Sequence, residues 1–429
     1  MTEMKYSAPR GTYDILPGET PLWQFIEGTC RALFEVYGYR EIRTPVFEAT
    51  GLFTRSIGAT TDIVKKEMYT FPDRKGRSLT LRPEETAPVV RAGLENNLIS
   101  PDQITKLYYL GPMFRYERPQ AGRQRQFHQA GVEAFGPADP SLDAEVIQLS
   151  VRLFEALGLK DLEVDINSVG CKKCQPKFRD AIKQYFKDNI KNMCDDCKER
   201  LEANPLRILD CKEAPCQKYI EKAPAAIDHL DADCKDHFDR VVGWLDRLGV
   251  RYRINDRLVR GLDYYTRTAF EVVSKQLGAQ NAVCGGGRYD DLVEELGGKP
   301  MPAIGFAVGL ERVVEILKAE SRQPLAVSGI NLFIATIGDE ARKVGFDLLK
   351  QAREKGISAD MDYMGKSLKA QMKAADRMGA GCVYIIGEEE IKKKAGILKN
   401  MKTAEQREVP FDQLLPQSCC GGGKPCSCE

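Results

Sequence analysis

The stretch from Thr105 to Gly136, TKLYYLGPMFRYERPQAGRQRQFHQAGVEAFG, most constrains what this chain can fold into. Two apolar, aromatic-bearing runs flank a loop holding Pro119, Gly122, Arg118, Arg123 and Arg125, with Arg115 just before it. That pattern predicts two antiparallel strands joined by a long basic loop. Alternation along a strand then puts Arg115 and Glu117 on one face, and Gln129, Gly131 and Glu133 on one face of the second strand. Such a face is poor core material and suits the polar floor of a site for a charged small molecule. A solvated hairpin with a charged tip is the plainer alternative for this stretch alone.

Flanking segments supply more strands and helices. Leu22, Phe25, Ile26, Leu33, Phe34 and Tyr37 make one helical stripe ended by Gly38. The alternating YREIRTPVFEAT follows, with Pro45 marking an edge or a bulge. Helix and strand together suit either a dimer interface or ordinary packing. The run SLTL leads into Arg82-Pro83-Glu84-Glu85-Thr86 and a helix to about Leu98. Glu84 and Thr86 there can face an ammonium group or compensate the helix dipole. Further on, NAVCGGGRYDDLVEEL predicts a strand, a triple-glycine turn and a helix. AIGFAVGLERVVEILK predicts a buried strand turning into a helix at Gly309, with Arg312 in its first turn. A cation there opposes the helix dipole, which points to an anionic partner or a surface ion pair.

Residues 171–240 change character. Cys171/Cys174 and Cys194/Cys197 form two C-x-x-C pairs, a spacing that fits one tetrahedral four-thiolate zinc site or reduced core thiols. Cys211, Cys216 and Cys234 supply only three more thiols for a second site, with His229, Asp231 or His237 to complete it. The domain prediction is therefore 1–170 with 250–325, an inserted helical domain over 171–249, a third domain over 329–416, and a cysteine- and glycine-rich tail over 417–429. Beyond the boundary near Leu325, β and α patterns alternate, which predicts a compact α/β domain with a largely parallel sheet. Lys366, Lys369, Lys373 and Arg377 form a basic stripe on a helix near 366–378, either a solvated face or a phosphate-backbone contact.

Composition narrows the class. The net charge of +1 argues against a generally basic nucleic-acid binder, so any nucleic acid must meet local patches. No apolar run approaches the roughly 20 residues needed to span a bilayer. The first residues lack an apolar leader, so a cytoplasmic protein with no membrane partner is expected, and its 14 cysteines are expected to be reduced or metal-bound.

Taken jointly, the motifs resemble class II aminoacyl-tRNA synthetases, and most closely the histidyl-tRNA synthetase family. FRYERPQ with RQFHQAGVE resembles the second class motif and FAVGLER the third. The segment ending near Thr44-Pro45 resembles the degenerate first motif, while RGLDYYTRTAFE and CGGGRYDDL resemble two segments peculiar to histidine enzymes. The resemblance implies an α+β catalytic domain with an antiparallel sheet of six or seven strands, a helical insertion and a C-terminal α/β anticodon-binding domain. It implies activation of L-histidine by ATP with Mg²⁺, transfer to tRNA(His), and a homodimer. By the same resemblance, Arg115 and Arg260 are catalytic, and Glu84, Thr86, Arg115, Gln129, Glu133, Arg260, Tyr264 and Tyr265 bind histidine. Arg115, Arg123 and Arg312 bind ATP; Arg118, Gln120, Lys366, Lys369 and Lys373 contact tRNA. The usual R-P-E-G-T reads R-P-E-E-T here, with Glu85 in place of a small residue. A competing expectation is a synthetase-like regulatory subunit of histidine biosynthesis that binds histidine without charging tRNA. Such relatives typically lose the arginine segment and the C-terminal domain, whereas this chain has Arg260, Arg312 and that domain.

Overall fold

The structure, a computed structural model, describes residues 6–58, 61, 63–119, 122–274, 282–320 and 329–414. The chain divides into two compact units, Met1–Pro324 and Leu325–Glu429.

Among the described residues, the first unit is built on one eight-stranded sheet. In chain order its strands are β1 (Arg40–Glu41), β2 (Thr105–Phe114), β3 (Gln126–Phe135), β4 (Leu162–Ser168), β5 (Arg253–Ile254), β6 (Thr266–Ser274), β7 (Ala282–Arg288) and β8 (Ala303–Gly309). Their spatial order is β1-β2-β3-β8-β7-β6-β4-β5. The six long strands pair antiparallel, and the two-residue strands β1 and β5 add parallel edges. The predicted hairpin is β2 and β3, with Tyr109 opposite Gly131 and Leu107 opposite Glu133.

Period two sorts the two faces. Tyr108, Ala130, Val132 and Ala134 point into the larger core, where helices Thr20–Val36, Pro140–Ala156 and Leu310–Ala319 contribute Ile26, Phe34, Ile147, Phe154 and Val313. Each such side chain, fully buried, contributes about 1.5–3 kcal/mol. Tyr109 and Phe135 point the other way, toward Val89 and Val90 of helix Thr86–Glu95. Phe25, assigned by spacing to the buried stripe, is exposed.

One predicted turn resolves differently. The three glycines of CGGG do not form a turn; Gly285, Gly286 and Gly287 lie inside β7, paired on both sides. The helix after them is short, Leu292–Glu295. Helix Ala232–Arg247, assigned by composition to the insertion, buries Phe238, Val241 and Leu245 in the main core. The insertion's own small core gathers Phe178, Ile182, Phe186, Leu201, Ile208 and Ile220.

In the second unit, strands Leu332–Thr336, Ala359–Met361 and Cys382–Ile386 pair in parallel, as the alternation predicts. Ala395–Asn400 and Gln406–Pro410 then add an antiparallel pair, so the sheet is mixed. Helices Asp339–Glu354 and Leu368–Arg377 pack against it.

Candidate active site

A cleft of about 270 Å³ opens on the β2–β3 face of the central sheet. It is lined by Glu84, Thr86, Arg115, Arg123, Gln129, Glu133, Arg260, Tyr264, Tyr265 and Arg312, drawn from four separate chain segments. The sheet order brings them together, because β3, β8 and β7 are adjacent although they are distant in sequence.

One part of the cleft is acidic and deeply buried. Glu133 on β3 is 1% exposed. It accepts a hydrogen bond from Thr86 Oγ1 at 2.7 Å and another from the Tyr289 hydroxyl. Burial pushes its carboxyl up to about 8, against the lowering effect of these two donors. Gly305 on β8 makes room for it: a Cβ there would collide with the Glu133 carboxylate. Glu84 accepts from the backbone N–H of Thr86 at 2.6 Å and of Ala87 at 3.1 Å, so it caps the helix Thr86–Glu95 while lining the cleft. Burial raises its pKa too. Tyr264 and Tyr265 pack with tilted rings, 4.8 Å between centroids, and burial raises both phenols.

Elsewhere the lining is cationic. Arg115 donates from Nε to the Pro83 carbonyl at 2.9 Å and lies over the Phe127 ring. Arg123 pairs with Glu117 at 3.0 Å. Arg260 pairs with Glu271 and lies over the Tyr265 ring. Its guanidinium is seated on Gly285, where a Cβ would collide with it, whereas a Cβ at Gly286 would meet the Gly305 carbonyl and Phe306, and one at Gly287 the Thr268 carbonyl and Tyr265. Arg312 donates to the Ala282 carbonyl, and burial followed by the nearby Arg123 lowers its pKa. Beside Arg312, Glu311 accepts from the His128 backbone N–H at 2.9 Å and ties helix Leu310–Ala319 to β3. Among the described residues, Arg260 Nε and Gln129 Oε1 are buried without hydrogen-bond partners, which marks the cleft as polar beyond its own needs.

Glu85 does not enter this cleft. It turns to Arg82, with Nη1 at 2.9 Å, and accepts from Thr44 Oγ1 at 2.7 Å. Burial pushes its carboxyl up to about 8, opposed by Arg82. The departure from the small residue is therefore accommodated away from the ligand face.

Sequence reasoning missed Tyr109, Glu271, Cys284, Tyr289 and Glu311 as lining residues, whereas Glu117 lines the cleft beside Arg115 as alternation expects. Cys284, Tyr289 and Glu311 lay inside quoted motifs, and alternation along β6 could have flagged Glu271. Arg118 is exposed, and Gln120 lies outside the described residues. Lys369 and Lys373 are exposed on helix Leu368–Arg377, whereas Lys366 precedes that helix and bonds Asp362 through its backbone N–H.

The proposed single site of Cys171, Cys174, Cys194 and Cys197 does not form. Helix Gln175–Lys187, 13 residues and about 20 Å long, separates the two pairs. Cys171 and Cys174 instead meet Asp231 and Cys234, while Cys194 and Cys197 meet Cys211 and Cys216. His237 is taken up by Asp143 at 3.0 Å, and His229 lies on Phe178.

The profile of the family described as "Histidyl-tRNA synthetase" matches residues 11–313, and that of "Anticodon binding domain" matches 331–417. The chain belongs to the histidyl-tRNA synthetase family. It is 53% identical to the histidine–tRNA ligase of Halothermothrix orenii, over 96% of this chain and 99% of that protein. It is likewise 53% identical to the ligase of Pelotomaculum thermopropionicum, over 96% of this chain and 97% of that one. A crystal structure of apo S. aureus histidyl-tRNA synthetase superposes with a TM-score of 0.81 at 40% identity, covering 96% of this chain and 99% of that one. The class II fold, with an antiparallel-rich catalytic sheet and a C-terminal anticodon-binding domain, is the fold of this family.

Proposed function

We propose that this chain is a histidine–tRNA ligase: it activates L-histidine with ATP, releases pyrophosphate, and transfers the histidyl group to the 3′ end of tRNA(His). The observation that carries this reading is the cleft itself, where a buried carboxyl with two hydroxyl donors shares a pocket with Arg115, Arg260 and Arg312. Near-full-length relatives at 50–53% identity, each named histidine–tRNA ligase, support charging over the regulatory alternative.

The chemistry follows from the groups. The histidine carboxylate attacks the α-phosphorus of ATP, the bond to the bridging oxygen breaks, and pyrophosphate leaves. A carboxylate is already a nucleophile, so no general base is required. The barrier is the crowding of one carboxylate against a triphosphate, which fixed cations relieve. Arg115 holds the carboxylate and α-phosphate, Arg260 stabilises charge developing on the α-phosphoryl oxygens, and Arg123 and Arg312 take the distal phosphates. Mg²⁺ enters with ATP and neutralises the pyrophosphate side. Glu133 accepts the imidazole N–H and Tyr265 bonds the other ring nitrogen. Glu84, Thr86, Gln129 and Tyr264 surround the ammonium group and ring. A buried polar pocket of this kind rejects apolar amino acids because its own groups would go unpaired. In the second step the terminal ribose hydroxyl attacks the adenylate carbonyl and AMP leaves.

Arg118, between β2 and β3, approaches the acceptor end in this reading, and Lys369 and Lys373, with Lys366 beside them, meet the tRNA backbone. Exposed Phe25, Val36, Val46 and Phe47 suit a homodimer interface, measurable by sedimentation. Among the described residues no helix is long and apolar enough to cross a membrane, and the cytoplasm is the compartment this function requires. ATP–pyrophosphate exchange tests the reading: exchange with histidine alone among the twenty amino acids is expected. Equal exchange with other amino acids, or none, would overturn it.

A further inference from the structure

We propose that the chain carries two structural zinc ions, one held by Cys194, Cys197, Cys211 and Cys216 and one by Cys171, Cys174, Asp231 and Cys234, and that they fix the insertion as a brace on the segment Arg260–Tyr265. Within each group the ligand atoms all lie within 4.8 Å of one another. Zinc–sulfur bonds of about 2.3 Å in a tetrahedron place sulfurs about 3.8 Å apart. Cys194 and Cys211 Sγ lie 3.7 Å apart, Cys174 and Cys234 3.7 Å, and Cys171 and Cys174 3.8 Å. A mixed sulfur–oxygen edge with a zinc–oxygen bond of about 2.0 Å spans about 3.5 Å. Cys171 Sγ and Asp231 Oδ2 are 3.4 Å apart. Four protein donors leave no open position, which makes both sites structural. Soft thiolates at single-ion spacing choose zinc over magnesium or calcium, and the spacing is too tight for the several metal atoms of an iron–sulfur cluster.

The two sites divide the work of the insertion. Cys171 and Cys174 follow β4, where the chain leaves the sheet; Asp231 and Cys234 stand where it returns. An ion there closes the neck. Asp231 serves it with one oxygen, while Oδ1 accepts from the Cys234 N–H at 2.8 Å and caps helix Ala232–Arg247. The second ion sits among short helices whose small core is marginal by itself.

Both sites connect to the cleft. Between Cys197 and Cys211, Asn204 Nδ2 donates to Asp263 Oδ1 at 2.8 Å and Arg207 Nη1 to the Arg260 carbonyl at 3.0 Å. Next to Cys174, Gln175 Nε2 donates to the Tyr265 carbonyl at 3.2 Å. The insertion therefore holds the loop carrying Arg260, Tyr264 and Tyr265 from two sides.

Zinc in the purified full-length chain, measured by mass spectrometry against amino-acid analysis, tests the sites without any enzyme assay. Two ions per chain are expected, falling to one in Cys216→Ser and in Cys234→Ser. The variant with Cys419, Cys420, Cys426 and Cys428 all changed to Ser is expected to keep two. One ion or none in the unaltered chain, iron in its place, or loss with the tail variant would overturn the proposal. Should either single variant fail to fold, cobalt substitution of the unaltered chain replaces it: tetrahedral thiolate bands from two cobalt ions are expected, and an octahedral spectrum would contradict both sites. The brace rests on the histidine-activation reading and has its own test. Arg207→Ala is expected to keep both zinc ions and raise KM for histidine several-fold in pyrophosphate exchange, with KM for ATP unchanged. Equal shifts in both constants, or none, would remove the brace and leave the zinc sites standing.

Discussion

The floor of the cleft and the cysteine-rich insertion hold polar groups in place by opposite means. The floor rests on long paired strands, and its polar side chains reach their positions because glycines beneath them leave room, Gly305 under Glu133 and Gly285 under Arg260. The insertion has short helices, a small core and two tight donor clusters. A sheet fixes side-chain direction through continuous backbone pairing. A short helical module must fix it through a few strong local links. The difference teaches where the molecule is stiff by topology and where it is stiff only through particular side chains.

The largest effect should appear under the sheet. Asp143 is fully buried between Arg288, which donates to it from Nε at 3.1 Å, and His237 at 3.0 Å. Burial alone would raise its carboxyl, but Arg288 and His237 hold it at about 2. Asp143→Ala leaves the buried Arg288 with Asp290 alone as a carboxylate partner and takes the partner from His237, and is expected to cost about 3–5 kcal/mol in urea unfolding. A loss below about 1 kcal/mol would show that this support is dispensable. The sign with pH is fixed: a depressed carboxyl stabilises fully above its unfolded pKa of about 3.9, and that contribution is lost as pH falls toward 2.

Next comes Arg260→Ala. Losing one fixed donor to a developing oxyanion costs about 10²–10³ in turnover. Adenylate formation should fall by that factor with the thermal midpoint nearly unchanged; intact turnover would remove Arg260 from the catalytic set.

Glu133→Gln is smaller, because a hydrogen bond to a charged group contributes about 1.5–3 kcal/mol. A loss of about 10–100-fold in kcat/KM for histidine is expected. In the parent chain an ionised Glu133 accepts the imidazole N–H more strongly than its protonated form does. Its raised pKa of about 8 therefore predicts that kcat/KM climbs with pH through that value. The climb should vanish in Glu133→Gln; an identical profile in both would assign the titration to another group.

The smallest effect belongs to the second unit. Lys369→Ala or Lys373→Ala should raise KM for tRNA a few-fold and lower the salt slope by about 1 each. An unchanged slope would return that helix face to ordinary solvation.

Legibility in the sequence followed the same division. The hairpin, the helix start at Leu310 and the parallel part of the second unit could be read because alternation and helical spacing are local signals. The gathering of Arg115, Arg260 and Arg312 was reached through motif resemblance, since no local signal says that β3, β8 and β7 are neighbours. The triple glycine misled because glycine marks a turn and a close approach equally well; only the packing across β7, with the Arg260 guanidinium on Gly285 and the neighbouring strands against Gly286 and Gly287, distinguishes them. The cysteines misled because C-x-x-C spacing shows which two thiols share a knuckle. Their partners lie 14 to 63 residues onward, which depends on how the short helices fold back.

The most direct measurement is charging of total tRNA by the purified full-length chain, with each labelled amino acid supplied in turn with ATP and Mg²⁺. The account predicts that histidine alone becomes attached, to a single tRNA species, with release of AMP and pyrophosphate. Attachment of a different amino acid, or no attachment with a folded protein, would contradict it.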